Sequence, residues 1–255
     1  MNNQSDNQSY SLSPTIDTEP EAGKEEAHFI PDGRSVPIGN IITWISDSWE
    51  IFKQRTWLWI GFVLLYTLLG FPLKHIHFFF AIILIFVNFL LSAGVLYSCD
   101  LLRRKGSFTF GDFFAAFRSR TGSLLLLYLL ALGFLILLLL IPALFLIDGS
   151  GTGISPGMII AGAVILVGWV LYCMASWFTP TLVMIHGLPP FKAIRMSFSA
   201  CLKNILLAIV LSLGAAIVMG ITFLAYGGLL VTILSCFIFI CAYVSYRDIF
   251  FDKDN

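Results

Sequence analysis

Charge is what this chain has least of. Asp, Glu, Lys and Arg make up 12% of the sequence against a hydrophobic fraction of 58%, far from the balance of a soluble globular domain. A basic surface of the kind that binds nucleic acid is thereby excluded, and the formal net charge of zero hides the useful fact, which is where the few charges fall. Cysteine offers no chemistry either. Cys99, Cys173, Cys201, Cys236 and Cys241 form no CxxC pair and no Cys/His ligand set, and an odd number of thiols in or beside apolar runs reads as free and buried. Cys236 and Cys241 are five apart, so on one helix they point about 140° away from each other and cannot bridge. Catalytic signatures are missing too. No GxSxG, HExxH, Walker-type or GxGxxG loop is present, and the Gly-rich stretch GSGTGISPG lies between apolar runs rather than after a strand. Neither an enzyme nor a resident cofactor or metal is expected.

What the chain does have is apolar runs of membrane-crossing length, at 57–73, 76–99, 123–147, 158–185, 205–226 and 229–246. They predict an all-α integral membrane bundle of six transmembrane helices occupying residues 39–250. Residues 1–38 carry seven carboxylates against Lys24 and Arg34 and read as a disordered acidic tail, and 251–255 as a second polar tail. No basic start followed by an apolar core opens the chain, so the first span is expected to act as its own insertion signal. Pro142 and Pro180 fall inside apolar runs. Pro180 predicts a kink, with Ser176 and Thr179 placed to cover freed carbonyls.

Three amphipathic helices precede the odd-numbered spans. In 41–54, Ile41, Trp44, Ile45, Ile51 and Phe52 recur at helical spacing opposite Asp47, Glu50, Lys53 and Gln54. Thr109-Phe110-Gly111-Asp112 is a capping-box-like start, and Phe110, Phe113, Phe114 and Phe117 then form one stripe that fits either the acyl region or the underside of the bundle. Pro189-Pro190 opens the third helix. Wound at helical pitch, it has a greasy side (Phe191, Ile194, Phe198, Cys201, Leu202), a basic side (Lys192, Arg195, Ser199, Lys203) and a small side (Ala193, Ser197, Ala200). Small residues permit close packing, which assigns that side to the bundle. The same order, amphipathic helix then two spans, recurs in each third and is consistent with a threefold internal repeat.

Fourteen of the 15 Lys and Arg residues lie in the tails and amphipathic joints, and only Lys74 lies in a connection on the other side. By the positive-inside rule both termini and all three amphipathic helices are expected in the cytoplasm. Arg103, Arg104, Lys105, Arg118, Arg120, Lys192, Arg195 and Lys203 are the candidate contacts for lipid headgroups or a partner. Asn88 is the one strongly polar side chain near the centre of a span, and an interhelical hydrogen bond is its simplest use. His75 and His77, with Asp148 as the sole carboxylate on their side, are too few and badly aimed for a metal.

Three stretches, TWISDSWEIFKQRTWLWIG, FTPTLVMIHGLPPFKAIRMSFSACLKN and YVSYRDIF, resemble an uncharacterised family of proteobacterial inner-membrane proteins across roughly residues 36 to 251. Thr56 stands where that family's pattern has proline. More distantly, the chain is similar to the helical membrane domain attached to some glycerophosphodiester phosphodiesterases, without their soluble enzyme domain. The resemblance implies a six-helix multi-pass bundle of the bacterial inner membrane with no assigned activity. The function expected is therefore non-enzymatic: engagement of membrane lipids, a membrane-protein partner or a second copy, in membrane or envelope homeostasis. Transport or lipid translocation is the second class, and a polar pocket near the midplane lined by Asn88, Ser176, Ser212 or Thr232 is the feature that separates it from the first.

Overall fold

The computed structural model describes residues 28–70, 78–146, 156–224 and 229–252. Its helices are α1 (Asn40–Gln54), α2 (Thr56–Gly70), α3 (Phe78–Lys105), α4 (Ala115–Arg118), α5 (Thr121–Leu146), α6 (Pro156–Ser176), α7 (Thr179–His186), α8 (Pro190–Lys203), α9 (Ile205–Leu224) and α10 (Leu229–Phe250), with a 3-10 turn at Phe110–Phe114. Among the described residues the extended pairing is a single antiparallel bridge between Phe29 and Phe251.

Four helical stretches are long and apolar enough to cross a membrane: Phe80–Lys105, Thr121–Pro142, Pro156–His186 and Ile233–Phe250. A fifth is added if α8 and the start of α9, bent by 105°, count as one. The expected first span is represented by α2, an apolar helix of 15 residues and thus below spanning length as described. The rest of that run, with Pro72, Lys74, His75 and His77, lies outside the described residues, as do Asp148 and the Gly227-Gly228 turn.

Burial separates centre from rim. About half of the α10 span and 44% of the α3 span are covered by protein, against 22% for α5 and for α6 with α7. The α5–α6 hairpin therefore turns leucine, isoleucine and valine outward, with Leu139 67% and Ile159 64% exposed. An apolar surface of that extent is solvated by lipid and not by water. The centre is built from Leu90, Leu91, Val95 and Leu96 of α3 against Ile240, Tyr243 and Tyr246 of α10, with Trp59 and Phe62 of α2 filling the side.

The phenylalanine stripe resolves into two environments. Thr109 donates to Asp112 Oδ2 from both its amide (2.7 Å) and its hydroxyl (2.8 Å), which tightens the start into a 3-10 turn. Only one further α-turn, α4, follows, so an uninterrupted amphipathic helix is not formed here. Phe113 is fully buried and sits 4.7 Å from Phe62 and 5.5 Å from Trp59, ring centre to ring centre, whereas Phe110 and Phe117 are each 39% exposed. This docking is possible because α3 has no side chain at Gly94.

The first and third joints share a bend that the second lacks. Arg55, between α1 and α2, has φ −141° and ψ 45°, and Asn204, between α8 and α9, has φ −122° and ψ 44°. In the second joint the chain instead turns through Arg120 in the left-handed region, at φ 62°. The hairpins differ as well, since α5 and α6 pack along much of their length while α2 leans mainly on α10.

A Cβ at residue 94 would lie 1.9 Å from the Phe113 carbonyl oxygen and 2.6 Å from its carbon, a clash with backbone that no rotamer relieves. Gly94→Ala is expected to destabilise the fold at the upper end of the about 1–3 kcal/mol typical of overpacking. Gly133→Ala, with nothing within 4 Å of the new methyl, is the control. Unfolding midpoints of the two variants in detergent check the contrast.

Candidate functional site

All the joints meet at one end of the bundle, and their polar groups are tied together there. The Pro180 region shows how. Proline removes one amide from the α6–α7 ladder, and the chain breaks at Trp177 and Phe178. The Ser176 hydroxyl donates to Tyr172 O (2.7 Å) and that of Thr179 to Ala175 O (2.5 Å), covering carbonyls one turn back. The break itself is bridged from another helix. Ser197 of α8 donates its hydroxyl to Met174 O (2.8 Å) and accepts the Phe178 amide (3.2 Å), standing where the regular i to i−4 bond would be. The small side of α8 is thus the buried one, as its composition predicts: Ala193, Ser197 and Ala200 are fully buried.

The second tie is a strap of residues 28–39, which overlaps the expected tail of 1–38; residues 1–27 lie outside the described set. Ile30 N donates to Phe250 O and Arg34 N to Ile249 O, both at 2.8 Å. Asp248, with its side chain only 13% exposed, holds the strap and α1 together. Its carboxylate accepts from Arg34 Nη2 (2.5 Å), Asn40 Nδ2 (2.5 Å) and Trp44 Nε1 (2.9 Å). Asn204 performs the same service at the α8–α9 bend, accepting from Val36 N and donating to Arg34 O and Ala200 O. The expected polar tail of 251–255 starts later than its first residue: Tyr246, Ile249, Phe250 and Phe251 are buried, because the strap lies over them, and residues 253–255 are outside the described set. Sequence reading missed Asp248 and Asn204. A carboxylate set between the apolar end of the last span and Ile249-Phe250-Phe251 was the available signal.

A third cluster closes the end of α3. Asp100 is buried, accepting from the Tyr243 hydroxyl (3.2 Å) and pairing with Arg104 Nε (2.8 Å). A buried carboxylate needs such partners, since an unpaired charge there is far costlier than the pair. Nearby, the His186 ring nitrogen bonds the Tyr246 hydroxyl, and Phe29 of the strap lies 4.2 Å from the His186 ring.

The predicted basic residues divide accordingly. Arg104 is held by Asp100, Lys203 Nζ donates to Gly33 O (3.1 Å), and the Arg120 guanidinium lies so close to Gly187 that a Cβ there would be 2.3 Å from Nη2. These three work within the fold. Arg103, Lys105, Arg118, Lys192 and Arg195 are exposed, as Arg104, Arg120 and Lys203 also are, so internal contacts and not burial mark those three. Asn88 is buried and its Oδ1 has no hydrogen-bond partner among the described residues, so the interhelical bond expected of it is not seen at that oxygen. It is not brought together with the other polar candidates. Ser176 and Ser212 each bond a carbonyl of their own helix, and the Thr232 side chain lies outside the described set. The space lined by Trp44, Trp177, Asn204 and Ser212 amounts to about 10 Å³, at most a single water.

Ser197→Ala leaves Met174 O and Phe178 N without partners in a buried site and is expected to cost about 1–3 kcal/mol, whereas Ser199→Ala, one position from the buried face, stays near wild type. Thermal unfolding in detergent separates the two. Compared with protein-family models, curated proteins and solved structures, the chain has no match in any of the three.

Proposed function

We propose that the chain is a non-enzymatic multi-pass protein of a bacterial inner membrane, with six spans in three units and both termini in the cytoplasm. Its cytoplasmic end engages anionic lipid headgroups, in the service of membrane or envelope homeostasis. The observation that carries this reading is α8. Its small side is buried in the bundle, its Phe191 and Leu202 are 65% and 53% exposed, Lys192 and Arg195 are exposed beside them, and the axis turns by 105° into α9. A helix with that division of faces lies along a bilayer surface, with its apolar residues in the acyl boundary and its bases at phosphate level. The outer side of α1, with Ile42, Ile45 and Trp49 exposed, repeats the apolar half of the pattern, and Trp57 at the start of α2 adds an aromatic anchor.

Transport draws on one observation, the partnerless Asn88 oxygen in the middle of α3. Ser176 and Ser212 do not join it, so the convergence that a substrate path requires is missing among the described residues.

Both α8 bases are exposed, and Lys192→Glu with Arg195→Glu reverses their charge. The full chain reconstituted in nanodiscs with a headgroup-photoactivatable anionic lipid should lose most of its labelling on α8 in this double variant. Labelling at the wild-type level would overturn the lipid reading of that helix.

A further inference from the structure

A cavity of about 200 Å³ opens where α1, α3 and α10 meet, lined by Ile51, Gln54, Cys99, Leu102, Arg103 and Tyr243. Cys99, Leu102 and Tyr243 are buried and form its walls, while Gln54 and Arg103 are exposed and form its mouth. A water takes about 30 Å³ in the liquid, so the space holds a group of several heavy atoms. We propose that it seats the phosphate and glycerol of an anionic membrane lipid, with the Arg103 guanidinium as the cation and the Gln54 amide as a second donor.

The charges around the cavity leave Arg103 as the one to be answered. The Asp100 carboxylate, beneath Tyr243, is already engaged by Arg104 and by the Tyr243 hydroxyl. Three of the four last-turn carbonyls of α1, which would repel an anion, are covered: Thr56 donates to Phe52 O and Lys53 O, and Trp59 Nε1 to Ile51 O. Arg103 has no ion pair among the described residues. Guanidinium is also the cation best matched to two phosphate oxygens.

Position and walls favour a lipid over a free anion. Arg103 sits in the last turn of a membrane-crossing helix, beside α1, whose outer side is exposed and apolar. Basic pockets between such helices suit lipid headgroups. The contacts with Ile51, Cys99 and Leu102 reward the glycerol carbons of a phosphodiester and give nothing to a hydrated phosphate ion.

This site rests on the lipid-engaging reading above and gives it an address away from α8. The full chain, delipidated in detergent and incubated with phosphatidylglycerol or phosphatidylcholine, is examined by native mass spectrometry. Arg103→Gln is expected to lower phosphatidylglycerol retention about tenfold while phosphatidylcholine is unchanged. Lys105→Gln, an exposed charge two residues away that does not line the cavity, should retain lipid like wild type. Equal losses in the two variants, or none in Arg103→Gln, would overturn the proposal, as would complete displacement of the lipid by inorganic phosphate. If Arg103→Gln retains phosphatidylglycerol while the α8 double variant loses headgroup labelling, the cavity assignment fails and the α8 reading stands. The reverse pair of results supports the cavity and removes α8.

Discussion

A backbone that leaves helical geometry inside a bilayer has no water to receive its N–H and C=O groups, and the whole architecture answers to that constraint. Three breaks among the described residues have a side chain fitted to them. Ser197 completes the α6–α7 ladder from a neighbouring helix, Thr56 caps two carbonyls at the α1–α2 bend, and Asn204 serves three backbone groups at the α8–α9 bend. Because these plugs come from different elements, the breaks also fasten the helices to one another. The bend at Asn204 turns α8 away from the line of α9, so the same contacts that satisfy the backbone set the helix proposed to face headgroups.

The polar end is held as one unit by buried charge. Asp248 gathers Arg34, Asn40 and Trp44, and Asp100 gathers Arg104 and Tyr243, so the C-terminal halves of α3 and α10 are connected to the strap and to α1. Such carboxylates are stable only with several donors, and removing a donor leaves an uncompensated charge. The aromatic layer of Phe29, His186, Tyr246 and Phe250 lies against the same strap. An end tied together in this way holds the exposed bases at fixed positions, which the proposed lipid contact would require.

Much of this was legible from residue order. The apolar runs, the three faces of 191–203, the Thr109–Asp112 cap and the disruption at Pro180 follow from rules that act within a few residues. The phenylalanine stripe was read in part: its start is as expected, but only Phe113 goes fully inward, because its backbone seats on α3 at Gly94 and a tight turn uses up the helical spacing. Span counting by composition ran ahead of the described helices, since α2 is short and α8 and α9 are bent. Asn204, Asp248 and the strap were not legible, because their partners are about 170 to 214 positions away in sequence.

By itself, then, the sequence determined the solvent, the secondary structure and which side of the third amphipathic helix is buried, since hydropathy and helical periodicity are local properties. Tertiary structure alone decided which bases, such as Arg104 and Lys203, are drawn into contacts within the fold. Arg103 and Arg104 are adjacent and chemically identical, yet one lines an open cavity and the other neutralises Asp100. Their directions differ by about 100° around α3, and only the placement of α1 and α10 against that helix gives the difference a consequence.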